Sequence, residues 1–271
     1  MAYHINLSKN IEKEVQDALD FYLLDVLHTL SDSKITQAKK IHNIRKSFKK
    51  IRAILKLAKY DLKDRETYVT QNNYYKYAGK RFSDSRDHLV LKKTLNKIAE
   101  KYDIKDKIEF SSLESLNTNV NSDKFTVLEK EIQLKREYLN IYKLKKKKRP
   151  LKAGLKKIYK KLIKNRKKAY STYKDSDFHE WRKATKNYMY QSKLFKNTLP
   201  KKLKKKTKNL KKLADLLGLD HDISVLKEFI LNQNKKNTSI IYYLEREQSI
   251  LRAEASKIRL EALKKIHKKH L

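Results

Sequence analysis

The chain of 271 residues contains no cysteine, which excludes disulfides, thiol chemistry and cysteine-ligated metal sites. Only three glycines (Gly79, Gly154, Gly218) and two prolines (Pro150, Pro200) punctuate it, too few for the turns of a sheet protein. Its apolar runs, such as Phe21 to Leu24, are far too short to span a bilayer. The opening MAYHINLSKNIEKEV has no basic segment followed by an apolar core and a small-residue cleavage site, so a cytoplasmic protein is expected. Acidic residues are also scarce, with 31 Asp+Glu against 68 Lys+Arg and a formal net charge of +37. Self-repulsion at that charge opposes compaction unless a polyanion neutralises it, and nucleic acid, polyphosphate and anionic membrane surfaces are the candidate classes. The 39% of hydrophobic residues still suffices for a core and argues against a disordered basic tail.

What is present is helical periodicity almost throughout, which predicts an all-α fold. The predicted helices run from about 8 to 30, 34 to 60, 65 to 82, 84 to 102, 123 to 149, 151 to 173, 178 to 199, 201 to 217, 223 to 232, and 238 to the C-terminus. The stretch 103–122 is polar and aperiodic, a natural seam between halves at 1–122 and 123–271. Each half is expected to pack as an antiparallel bundle with short connections.

The second predicted helix separates two chemistries. Ile41, Ile44, Phe48, Ile51 and Leu55 form one stripe, while His42, Arg45, Lys46, Lys49 and Lys50 lie opposite. The pattern H-x-x-R-K-x-x-K recurs at His179, Arg182, Lys183 and Lys186, 137 positions on (42 to 179). A second pair of segments, FSDSRDHLVL and LGLDHDISVL, places Arg86-Asp87 and His221-Asp222 at a similar offset of 135 (87 to 222). Two features repeated in the same order point to duplication of a whole unit.

These residues resemble the CHAD domain, the conserved histidine α-helical domain. The match lies in IHNIRKSFKKIR and FHEWRKATKNYMY for its His-x-x-Arg helices, and in the two Asp-containing segments that follow them. The resemblance covers essentially the whole chain. It implies two pseudo-symmetric helical bundles and a basic central channel that binds inorganic polyphosphate. His42, Arg45, Lys46, Lys49, His179, Arg182, Lys183 and Lys186 would line that channel, joined by Lys50, Arg52, Tyr190 and Lys193. The sequence departs from the family pattern at Ser83, where glycine is usual, at His221, where arginine is usual, and at Asn187 and Met189, which dilute the second basic helix. The departures imply either weaker binding by the second half or reliance on Lys193 and Tyr190.

The residue types suit an anion without the family. Arginine offers a two-pronged match to phosphate oxygens and lysine a mobile point charge. Arg86, Asp87, His221 and Asp222 are read as orienting channel cations, and for Asp87 and Asp222 a second reading stands, carboxylates at a helix N-terminus favoured by its dipole. Trp181 and Phe48 lie on apolar stripes and are read as core. The lysine runs at 143–168 and 201–212 either extend the channel or form an outer positive field.

Catalysis finds little support. No Walker-type phosphate loop is present, and Glu12-Lys13-Glu14, Glu129-Lys130-Glu131 and Glu245-Arg246-Glu247 lack the final lysine of a triphosphate-tunnel signature. No metal-ligand spacing stands out, and no cofactor is expected. The sequence therefore reads as a non-catalytic polyphosphate-binding protein, cytoplasmic and associated with polyphosphate granules. A helical RNA- or DNA-binding protein is the rival, although no helix-turn-helix, zinc finger or aromatic-rich sheet motif is seen. A polyphosphate-processing enzyme or its regulatory subunit is a weaker alternative.

Overall fold

The computed structural model of the protein describes residues 3–104, 123–145, 150–232, 238–258, 260 and 263, apart from the side chains at 83–87, 202–206 and 238–239. The described residues hold nine α-helices and no strand: α1 (Ile11–Ser31), α2 (Gln37–Ala58), α3 (Arg65–Lys80), α4 (Ser83–Lys101), α5 (Asp123–Glu137), α6 (Lys152–Thr172), α7 (Asp175–Leu194), α8 (Lys201–Asn232) and α9 (Thr238–Ser256). The predicted all-α class is the observed one.

Local chemistry starts the first three helices. The side chains of Asn10, Thr36 and Asp64 accept hydrogen bonds from amides of the first turns of α1, α2 and α3, satisfying donors that the helix itself leaves open. The α2 stripe of Ile41, Ile44, Phe48, Ile51 and Leu55 is fully buried, as are Phe178, Trp181 and Tyr188 of α7. These side chains belong to one continuous apolar core that runs from Ile5 to Leu263. Helices α1 and α3 flank α2, α6 and α8 flank α7, and α2 and α7 lie against each other at the centre. Helices α4 and α9 pack on α8, and α5 covers α1.

Several boundaries differ from those expected. Helix α1 is capped by Asn10 and begins at Ile11 rather than near Ser8. The helix expected over 123–149 ends at Glu137, because the chain then turns through a short 3-10 segment, Leu139–Ile141, and pairs with residues 61–63, which follow α2. There Lys63 N–H donates to the Lys143 carbonyl at 2.9 Å and Lys145 N–H to the Asp61 carbonyl at 2.7 Å. The buried Asp61 carboxylate also accepts the amide of Leu151 at 2.9 Å. That bond helps to hold Leu151 in the left-handed region (φ 66°) at the start of α6. The two helices expected at 201–217 and 223–232 are one helix of 32 residues, about 48 Å long. Helix α9 ends at Ser256 rather than continuing to the C-terminus. The expected seam at 103–122 lies outside the described residues from 105 onward.

Candidate anion-binding site

Helices α2 and α7 run in opposite directions along a shared seam. Gln191 Nε2 of α7 donates to the Ala53 carbonyl of α2 at 3.0 Å, and one turn on Lys56 Nζ donates to Asn187 Oδ1 at 3.5 Å. The polar edges of both helices are therefore brought side by side, with the apolar stripes turned into the core.

At one end Lys46, Lys50 and Lys193 converge on a cleft of about 160 Å³ with Tyr22, Ile54, Tyr190 and Leu194. Lys50 Nζ lies 3.8 Å from Asp25 Oδ2 and 4.4 Å from the centre of the Tyr22 ring. Burial lowers the Lys50 ammonium below its ordinary pKa, Asp25 opposes the shift, and Lys46 and Lys193 add to it. Lys193 is lowered by burial and then by Lys211 of α8 and Lys46, against Asp215. Burial, and then cations from three helices, thus weaken the hold of Lys50 and Lys193 on their protons.

At the other end Lys56 is pushed down to about 8, first by burial and then by Arg52, Lys161 and Lys183, with Glu180 opposing. Glu180 accepts from Lys183 Nζ at 2.7 Å and lies 3.8 Å from Lys161 Nζ. His179 is pushed down to about 4 by burial and by Lys183 and Arg182, so it is neutral at physiological pH. Its ring lies against that of His221 on α8, with centroids 3.9 Å apart. Arg45 Nη1 donates to the Gly79 carbonyl in the last turn of α3, which fixes the guanidinium beside that helix end. Arg182 lies over α8 near Gly218.

The structure therefore brings Lys46, Lys50, Tyr190 and Lys193 together at one end, and His179, Lys183 and His221 at the other. Lys49 and Lys186 are half-buried and His42 is exposed. Arg52 leans toward α3, where its Nε donates to Asn72 Oδ1 at 3.2 Å. Asp222 is in mid-helix, which removes the helix N-terminus reading for that residue. It lines a separate cleft between α4, α8 and α9 with Lys93, Lys97 and Lys101. The side chains of Arg86 and Asp87 lie outside the described residues. Sequence reasoning missed Lys56, whose signal was its spacing of seven from Lys49. It also left Lys161 and Lys211 within ambiguous lysine runs, and only tertiary packing shows that these two reach the seam.

Among the described residues, no group of three or more His, Asp or Glu could hold a metal ion. No helix among them is long and apolar enough to cross a membrane. No curated protein matches the chain. The profile of the CHAD domain matches residues 23–231, a span that includes α2, α7 and both repeated motifs. On that match, over most of its length, the chain belongs to the CHAD domain family.

Proposed function

We propose that this protein binds inorganic polyphosphate reversibly along the α2–α7 seam, without turnover, and that this binding targets or scaffolds it at polyphosphate granules. The observation that carries the reading is the convergence of cations along the seam. Lys46, Lys50 and Lys193 line one cleft, and Lys56 stands among Arg52 of its own helix and Lys161 and Lys183 of two others. Lys50, Lys193 and Lys56 are thus held below the ordinary lysine pKa by burial and by these neighbours. A site that repels its own protons is relieved by an anion, and a row of such positions by a polyanion. Polyphosphate presents charge and no bases. The buried Trp181 and Phe48 offer no face on which a base could stack.

The test is position-dependence. Arg45→Ala with Arg182→Ala is expected to weaken binding of long-chain polyphosphate at least tenfold, about 1.4 kcal/mol. Lys49→Ala with Lys186→Ala, which leaves the bond to Gly79 intact, should act in the same direction. The charge-matched pair Lys124→Ala with Lys130→Ala, exposed on α5, should act mainly on association rate and salt dependence. Titrations at one salt concentration, with helicity checked by circular dichroism, decide it. Equal losses from all pairs would reduce the seam to a diffuse field. A tRNA that outcompetes long-chain polyphosphate at equal phosphate concentration would favour the nucleic-acid reading.

A pH dependence follows from Lys56. Its free-state pKa of about 8 must rise when an anion binds, so binding takes up a proton just above that value. Affinity should therefore fall as pH rises through about 8 to 9. Lys56→Arg, which keeps its charge throughout, should flatten that part of the profile. Calorimetry in buffers of different ionisation enthalpy measures the proton uptake directly, and a profile identical in wild type and Lys56→Arg would remove Lys56 from the site.

A further inference from the structure

The seam is not uniform. Its Lys46–Lys193 end is a cleft floored by Tyr22, Ile54 and Leu194, which are 4%, 1% and 3% exposed. A polyanion cannot continue through a floor closed by buried side chains. An internal phosphoryl group, with a neighbour on each side, can lie across the mouth, whereas a terminal one can enter. A terminal phosphoryl group also has three non-bridging oxygens and a second ionisation near neutrality, where an internal group has two such oxygens and a single charge. Three ammonium groups line this cleft, and Asp25, which the Ser47 hydroxyl also holds, offsets one of them.

We infer that the cleft between α1, α2 and α7 is a subsite for the terminal phosphoryl group of a linear polyphosphate. The inference rests on the polyphosphate reading of the seam and makes that site selective for chain ends.

The experiment compares short linear polyphosphate with free ends against the same chains with both ends blocked as alkyl phosphoramidates, which removes an ionisable oxygen from each terminus. The wild-type protein is titrated beside Lys46→Gln with Lys193→Gln. Both lysines are exposed, so the double variant should fold, and circular dichroism checks that it does. Blocking the ends should weaken wild-type binding by about tenfold. The same blocking should change binding by the double variant less than about twofold. Equal wild-type affinity for free and blocked chains would overturn end recognition while leaving the seam intact. An end preference that survives in the variant would also overturn it, by placing end recognition elsewhere. Binding of neither chain would instead overturn the polyphosphate reading itself.

Discussion

Arg252→Ala is expected to destabilise the protein by about 3–5 kcal/mol, the loss typical of leaving one member of a buried ion pair alone. The Arg252 side chain is 5% exposed and joins three helices at one point. Its Nε donates to Asp220 Oδ1 of α8 at 2.7 Å and its Nη2 to Asp175 Oδ1 at the start of α7 at 2.5 Å. Its Nη1 donates to the Tyr173 carbonyl at 3.2 Å, and its guanidinium lies 4.0 Å from the centre of the Phe178 ring. Asp220 is 2% exposed, and burial pushes its carboxyl pKa up while Arg252 pulls it back. Alanine would leave that carboxylate buried without its charge partner. Asp175 would keep Lys227, 3.3 Å away. The double change Arg252→Met with Asp220→Leu should therefore recover most of the loss, because replacing both partners by apolar groups of similar size removes the desolvation cost as well. Urea denaturation of the two variants tests this, and a loss below about 1 kcal/mol for Arg252→Ala would show the pair to be dispensable. Asp220 precedes His221, whose ring meets His179, so the same loss should loosen one end of the seam.

Two glycine-to-alanine changes should act with opposite sign. A Cβ on Gly154 would stand 1.9 Å from the Leu57 carbonyl oxygen and 2.7 Å from its carbon. Both are backbone atoms of α2, so α6 would have to move away from α2. The expected cost is at or above the top of the ~1–3 kcal/mol range for overpacking. Gly218 lies inside α8, and a Cβ there would meet nothing nearer than Arg182 Nε at 4.0 Å, an ordinary contact. Alanine at 218 should therefore stabilise by about 0.5–1 kcal/mol through its lower unfolded-state entropy. Thermal or urea midpoints that move in the same direction for both variants would contradict this picture of α6 against α2.

The contrast explains why the sequence around Gly218 predicts two helices where the structure has α8 alone. LGLDHD has the residues of a turn, and a mid-helix glycine costs roughly 1 kcal/mol. In the structure Leu217, Asp220 and Ile223 on either side of it are buried, and tertiary packing outweighs the local preference. The reverse holds after Glu137, where the sequence carries no helix breaker before Pro150, yet residues 143–145 pair with residues 61–63 instead of continuing the helix. Helix α2 was readable because its apolar and basic positions fall on opposite faces over six turns, a signal carried wholly within the element. Which cations meet was not readable in the same way. Lys56 is one turn beyond Arg52, but its neighbours Lys161 and Lys183 come from two other helices. The stacking of His179 on His221 likewise depends on how α7 lies on α8.

The length of α8 couples the stability of the helices packed along it. This single helix touches α4, α7 and α9, while Gln191 and Ala53 tie α7 to α2. Opening α8 would strip apolar cover from α4, α7 and α9 at once, so local opening at one of them raises the free energy of the others. An anion that binds only the folded seam therefore stabilises α4 and α9, which it does not touch, by the same increment as α2 and α7.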